Sequence, residues 1–184
     1  MIGGMEKGFR VKNRYPLSKK ERKKLFSEVK VFGTIAGKHS LVEKAVILSN
    51  KREYVVLILD GDPVFVLRGD EPASAEPLLC ALINKRRELV NMYPNITVDR
   101  GATRAIARGA NLMIPGITGV RGEFNEGSIV VVLDEESRAP VAVGRAALSS
   151  EELKAKLQER ARGLAVRITQ RPGDELWRIC EYIK

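Results

Sequence analysis

The sequence of 184 residues predicts an α+β protein of two domains, an N-terminal α/β half and a small strand-rich barrel. A Leu-rich helical pattern ends at Tyr93-Pro94-Asn95, because proline cannot continue a helix. From Ile96 onward, short β-rich runs follow one another closely, with turn residues between them. Closely spaced short strands are typical of a barrel. We therefore expect one domain over residues 1–93 and a second over residues 94–184.

The N-terminal half is predicted to contain a capped helix, a hairpin and a second helix. Ser18 and Glu21 have the spacing of a capping box, in which each side chain bonds the backbone N–H of the other residue. Apolar residues then recur at helical spacing and predict a helix over 19–29. The apolar runs 54–59 and 64–67 flank a turn and predict the hairpin. The segment 75–95 carries leucines along one face and predicts the second helix.

The C-terminal half is predicted to alternate strands with two helical segments. Turn residues such as Pro115-Gly116 and Glu126-Gly127 separate the strands. The expected helices cover 100–108 and 150–162. The expected strands cover 96–98, 112–114, 128–133, 140–146, 164–169 and 176–183.

The positive charge is concentrated near the N-terminus. Lysines and arginines exceed acidic residues by nine in the whole chain, and residues 1–24 alone carry nine basic groups against two acidic ones. Apolar residues threaded through this segment indicate that it is folded. A basic surface on a folded domain favours a polyanion through counterion release, so we expect nucleic acid as the partner. The candidate contacts are Lys19, Lys20, Lys23 and Lys24.

Several classes of protein are disfavoured by the composition. No apolar stretch is long enough to span a bilayer, and the N-terminal MIGGMEKGF lacks the apolar core of a signal peptide, so we expect a cytoplasmic protein without a membrane partner. Cys80 and Cys180 are far apart and beside apolar residues, and we expect both to be reduced core residues. His39 is the only histidine and is expected at the surface. We therefore predict no catalytic residues, no metal and no cofactor.

The stretch VDRGATRAIARGANLMIPGI, residues 98–117, combines a short helix with three arginines and three glycines. Arg100, Arg104 and Arg108 fall four residues apart and therefore point roughly to one side of the helix. Gly109 is expected to end the helix, with the alanines and Ile106 facing the barrel. From the residues alone, two interpretations remain open. The face could hold nucleic-acid phosphates, or it could be an ordinary solvated basic face.

The same stretch resembles the signature of the PUA domain, named after pseudouridine synthases and archaeosine transglycosylases. The features shared are Asp99, the pair Gly101-Ala102, the run 109–112 and Pro115-Gly116-Ile117. The later GSIVVVLDEESRAPVAVGRAALSSEEL resembles the remaining PUA strands. The N-terminal half, with VLRGDEP and MYPNITVDRGA, is similar to the malignant T-cell-amplified-sequence family and its archaeal relatives. In that family an α/β pre-PUA domain precedes a PUA β-pseudobarrel with short helices.

The resemblance implies a non-enzymatic RNA-binding protein of the translation apparatus. It implies rRNA or tRNA as partner, the latter near its CCA end, together with the small ribosomal subunit and a partner like density-regulated protein. The alternatives are a ribosome-assembly factor, or the RNA-targeting subunit of a modification enzyme of the pseudouridine synthase or transglycosylase type. Residues 1–92 show no convincing catalytic set for an enzyme of that type. The implied RNA groove comprises Arg100, Gly101, Ala102, Arg104, Arg108, Gly109, Asn111, Leu112, Pro115 and Gly116.

Overall fold

The structure is a computed structural model that describes residues 8–37, 39–49, 52–84 and 86–183. It confirms the α+β class: the described residues form two sheets with helices packed around them. Within the described residues, short 3-10 helices at Pro72–Ser74, Arg87–Met92 and Ile114–Gly116 connect some of the α-helices and β-strands. In chain order the elements are β1 (Phe9–Pro16), α1 (Lys19–Glu28), α2 (Lys30–Ile35), β2 (Val42–Ser49), β3 (Glu53–Leu59), β4 (Asp62–Leu67), β5 (Glu76–Pro77), α3 (Leu79–Asn84), β6 (Asn95–Val98), α4 (Arg100–Ala107), β7 (Leu112–Met113), β8 (Ile117–Arg121), β9 (Ile129–Asp134), β10 (Pro140–Ala146), α5 (Ser150–Gln158), β11 (Leu164–Gln170) and α6 (Glu175–Ile183).

The first sheet is antiparallel, with strand order β1-β2-β3-β4-β5. Its strand β3 is buried on both faces, which explains its unbroken apolar run. Val55 and Leu57 face a core built with α1, α2 and α3, whereas Val56 and Ile58 face a second core built with α3 and α6. The predicted hairpin of β3 and β4 is confirmed, and Asp60 and Gly61 take the left-handed conformations of its turn.

The second sheet has strand order β7-β11-β10-β9-β6-β8, with β6 and β9 parallel and the other pairs antiparallel. Strand β9 is shared between the two cores because its side chains alternate. Val130 and Val132 face the interior of the barrel, while Val131 and Leu133 join the core of the first domain. The two domains therefore pack through apolar side chains along the length of this strand.

A buried polar network also joins the domains. The Glu76 carboxylate, 3% exposed, accepts hydrogen bonds from Gln170 Nε2 at 2.8 Å and from the Thr169 hydroxyl, and it lies 3.4 Å from Arg145 Nη2. Gln170 Oε1 in turn accepts from the Leu79 backbone N–H at 2.9 Å. Because a buried carboxylate is costly unless it is paired, these partners offset its desolvation, and they join β5 and α3 to β10 and β11.

Two sequence expectations about the C-terminus are wrong. Residues 176–183 form α6 rather than a strand, because Ile179, Cys180 and Ile183 recur at helical spacing and bury against the first sheet. Cys80 and Cys180 are not reduced thiols but a disulfide that ties α3 to α6 across a sequence separation of 100 residues. Only the folded chain brings their Cα atoms to 6.5 Å, within the usual range for a disulfide.

The predicted second helix is also divided. Glu76 and Pro77 instead form β5, which adds to the edge of the sheet beside β4. The chain is helical over α3 and again as a 3-10 turn over Arg87–Met92, and residue 85 lies outside the described part. The sequence prediction missed β1, α2, β2 and β8. The first helix, the capping box and the helices α4 and α5 are confirmed, although α5 ends at Gln158 and not at residue 162.

No helix in the described ranges is long and apolar enough to cross a membrane. The expectation about the first nine residues cannot be compared with the structure, since residues 1–7 lie outside the described part.

Candidate nucleic-acid interface

Helix α4 is held at both ends by its own sequence. The Asp99 side chain caps the N-terminus and accepts from the Ala102 backbone N–H at 2.7 Å. Gly109 ends the helix with φ +108°, a conformation that a residue with a Cβ rarely adopts. Ile106 is buried in the barrel core and anchors the helix.

Two further contacts fix α4 on the barrel. The Thr103 hydroxyl donates to Asp134 Oδ2 at 3.0 Å, and hydrogen bonds from the Ser137 N–H and hydroxyl, with that of Thr103, hold the pKa of the Asp134 carboxyl below its ordinary value. On the other side, a Cβ on Gly116 would lie only 2.6 Å from the Cβ of Ala102. The absence of a side chain at Gly116 therefore lets the helix pack directly on the 3-10 turn.

The outer face of α4 presents cations between small residues. Arg100, Arg104 and Arg108 are all exposed, and none of them pairs with a carboxylate among the residues that the structure describes. Gly101 and Ala105 are exposed beside them, so no bulky side chain stands between the guanidinium groups. Such a face allows a phosphate backbone to approach closely and to receive bidentate hydrogen bonds.

The other residues of the implied groove differ in how far they are exposed to solvent. Gly101, Gly109, Asn111 and Pro115 are exposed together with the arginines. Leu112 is buried at 1% exposure. Ala102 and Gly116 are half-buried against each other, so these three residues support the surface and do not form it.

The expectation for the alanines is partly wrong. Ala105 and Ala107 are exposed and do not face the barrel. Because α4 has only two turns, its buried stripe is narrow and comprises Ile106 with the half-buried Ala102 and Thr103.

Helix α1 carries the second basic surface. Its capping box is complete. The Ser18 hydroxyl and N–H donate to Glu21 Oε2 at 2.6 and 2.9 Å, and these bonds hold the pKa of Glu21 below its ordinary value. Of the four candidate lysines, only Lys24 has a recorded partner in the described part, Glu28 at 3.9 Å. Lys19, Lys20, Lys23 and Lys24 are all exposed.

Two side chains near α4 were missed by the sequence reasoning. Met113 lies on the edge strand β7 and is 49% exposed, although its neighbour Leu112 is buried. Arg171 follows β11, and its Nη1 lies 3.2 Å from where a Cβ on Gly109 would be. Alternation along a strand could have indicated the exposure of Met113. No sequence signal places Arg171 beside α4, because Arg171 follows Gly109, at the end of the helix, by 62 positions.

Comparison with protein families divides the chain into two matched segments. The model of the PUA domain matches residues 94–171, and the model of the domain of unknown function DUF1947 matches residues 13–85. Helix α6 and its cysteine lie outside both segments.

Known proteins resemble the chain along most of its length. A protein of Methanocaldococcus jannaschii is 29% identical over 171 residues, which cover 91% of this chain and 96% of that protein. Translation machinery-associated protein 20 of Saccharomyces cerevisiae is 30% identical over 125 residues, or 65% of this chain and 63% of its own length. A crystal structure of a PUA domain from Aeropyrum pernix, in a tartrate complex, is 32% identical with a TM-score of 0.80, covering 95% of this chain and 94% of that one.

Proposed function

Since the chain belongs to the family in which a DUF1947 domain precedes a PUA domain, we propose that it is an RNA-binding protein of the translation apparatus that acts without catalysing a reaction. The observation that carries the proposal is the outer face of α4, where Arg100, Arg104 and Arg108 have no acidic partner in the described part. Unpaired arginines beside small residues suit the binding of phosphates.

The proposed targets are the small ribosomal subunit and the CCA end of tRNA, with a partner like density-regulated protein. The name of the yeast relative, translation machinery-associated protein 20, supports a role in translation, and the targets within it are part of the proposal. We propose that the protein works in initiation or recycling in the cytoplasm. We propose residues 1–93 and 94–184 as the two domains. Helix α6, from the second segment, packs on the sheet of the first.

Two observations favour a binding protein over an enzyme. Cys80 and Cys180 are bonded to each other, so neither is a free nucleophile. His39 is exposed, and no described residue pairs with it. The alternatives are a ribosome-assembly factor or the targeting subunit of an RNA-modification enzyme. Mass spectrometry of nucleosides after incubation with RNA separates a modifying activity from simple binding.

Arg104→Ala is expected to weaken RNA binding by about 1–3 kcal/mol, the range for hydrogen bonds to charged groups. The melting temperature should stay nearly unchanged, because the side chain is exposed and alanine is a good helix former. Binding is measured to a CCA-ended single-stranded RNA and to the small ribosomal subunit.

The matched control for this variant is Arg87→Ala. Arg87 is also exposed and has no carboxylate partner in the described part, but it lies in the 3-10 helix of the first domain and not on α4. Equal losses in the two variants would indicate a general effect of charge, and normal binding by Arg104→Ala would refute the role of the α4 face.

Replacing Lys19, Lys20, Lys23 and Lys24 by glutamine should flatten the dependence of RNA affinity on salt. Each lost phosphate contact lowers the slope of log affinity against log salt by about 0.7 for a single strand. The fold should survive, because the helix depends on Leu25 and on its Ser18–Glu21 cap and not on these exposed side chains. An unchanged slope would limit the lysines to a role in solubility.

A further inference from the structure

The segment after α4 is fixed to the end of β11. Asn111 Oδ1 accepts from the backbone N–H of Ile168 at 2.9 Å, and the Ala110 N–H donates to the Ala105 carbonyl at 3.0 Å. The first bond joins the segment to β11, and the second joins it to the last turn of α4. Residues near the end of β11 therefore hold a constant position relative to the arginines of the helix.

Arg171 lies at this junction. Its Nη1 is 3.2 Å from the position that a Cβ on Gly109 would occupy, so the guanidinium group lies directly against the end of α4. The backbone N–H of Arg171 donates to Asp174 Oδ2 at 2.8 Å, which holds the main chain in place and leaves the side chain unconstrained by that bond.

The guanidinium group of Arg171 has no partner carboxylate among the described residues. A cation beside the C-terminus of a helix is stabilised by the helix dipole, and the charge of Arg171 meets this condition. However, one interaction with the helix end leaves most of its five N–H donors available. Arg171 is half-buried, and Arg108 at the C-cap of the same helix is exposed; neither has a carboxylate partner among the described residues.

The three arginines of α4 form a single file that spans about 12 Å along the helix axis, at 1.5 Å per residue. Arg171 extends this row past Gly109 to the residue that follows β11. The exposed residues between the cations, Gly101, Ala105 and Ala107, carry at most one methyl group. A single file of cations over a low surface matches one phosphodiester backbone, whereas a duplex presents two backbones across a groove.

We infer that Arg171 is a fourth phosphate-binding arginine and that the α4 face takes a single RNA strand, which runs along Arg100, Arg104 and Arg108 and continues over Gly109 to Arg171. The inference rests on the proposed function. It adds Arg171, the residue that follows β11, to the surface and selects a single strand over a duplex.

The test compares Arg171→Gln, Arg104→Gln and Arg87→Gln as salt titrations of binding to a CCA-ended single-stranded RNA. Arg171→Gln and Arg104→Gln should each lower the slope of log affinity against log salt by about 0.7, and Arg87→Gln should leave it unchanged. At low salt we expect a loss of about tenfold for each of the first two variants. Arg171→Lys keeps the charge and should keep the slope.

The outcomes separate this inference from the proposed function. If Arg104→Gln lowers the slope and Arg171→Gln does not, the α4 face binds RNA but ends at Arg108. If neither variant changes the slope, the α4 face is not the RNA site. A blunt RNA duplex that binds as tightly as the single strand, with the same response to Arg171→Gln, would overturn the assignment to a single strand.

A second variant guards against a loss of folding. Arg171→Met keeps an unbranched chain that can pack against Gly109, so its melting temperature should stay near that of the wild type while the slope falls as in Arg171→Gln. A normal slope in a folded Arg171→Met protein would refute the inference even if Arg171→Gln unfolds.

Discussion

Replacing Cys180 by alanine is expected to lower the free energy of unfolding by about 2–5 kcal/mol. The disulfide with Cys80 closes a loop of 100 residues that contains the whole second sheet. A cross-link over so long a loop reduces the conformational freedom of the unfolded chain and thereby stabilises the folded state. It also holds α6 on the first sheet, where Ile179 and Ile183 are buried.

Thermal melting with and without dithiothreitol measures this effect. The reductant should lower the melting temperature of the wild type towards that of Cys180→Ala and should leave the variant unchanged, which serves as the control. If the wild type melts at the same temperature in both buffers, the two cysteines are not bonded in solution and the earlier expectation of reduced thiols stands.

Replacing Gly116 by alanine should destabilise the protein by about 1–3 kcal/mol, the usual cost of overpacking a filled site. The new methyl group would lie 2.6 Å from the Cβ of Ala102, so α4 or the 3-10 turn must move. The φ of Gly116 is not positive, so the backbone itself accepts alanine and the cost is steric. Because the shift displaces Arg104, RNA affinity should fall together with the melting temperature.

The double variant Ala102→Gly/Gly116→Ala tests this explanation. It exchanges the methyl group between the two positions and should recover much of the lost stability, less about 1 kcal/mol for a glycine in a helix. A double-mutant cycle gives the coupling between the positions, which should be favourable. If the two losses simply add, then the contact with Ala102 does not explain the cost at Gly116.

The candidate site was largely visible in the sequence because its parts are local. Asp99, the arginine spacing and Gly109 lie within ten positions of each other, and helix geometry alone places the arginines on one side. The same reasoning could not tell which of these residues are exposed at the site and which are buried beneath it. Leu112 is buried and Gly116 packs on Ala102, and these outcomes depend on how the turn docks against the helix.

Local signals also decided which helices and strands could be predicted from the sequence. The hairpin of β3 and β4 and the capped helix α1 carry local signals, and both were predicted correctly. The edge strand β1 was missed although Phe9, Val11 and Tyr15 alternate with basic residues, because the density of charge is the dominant signal of this exposed segment. Helix α6 was taken for a strand, since its short apolar pattern fits either period.

By itself the sequence determined the α+β class, the basic face of α4 and the resemblance to PUA proteins, because caps, turns and periodicity act between residues close in the chain. The tertiary structure alone decided the disulfide between Cys80 and Cys180, the sharing of β9 between two cores and the position of Arg171 beside Gly109. Each of these three joins segments that are distant in sequence, and such contacts form only when the packing of both domains brings the segments together.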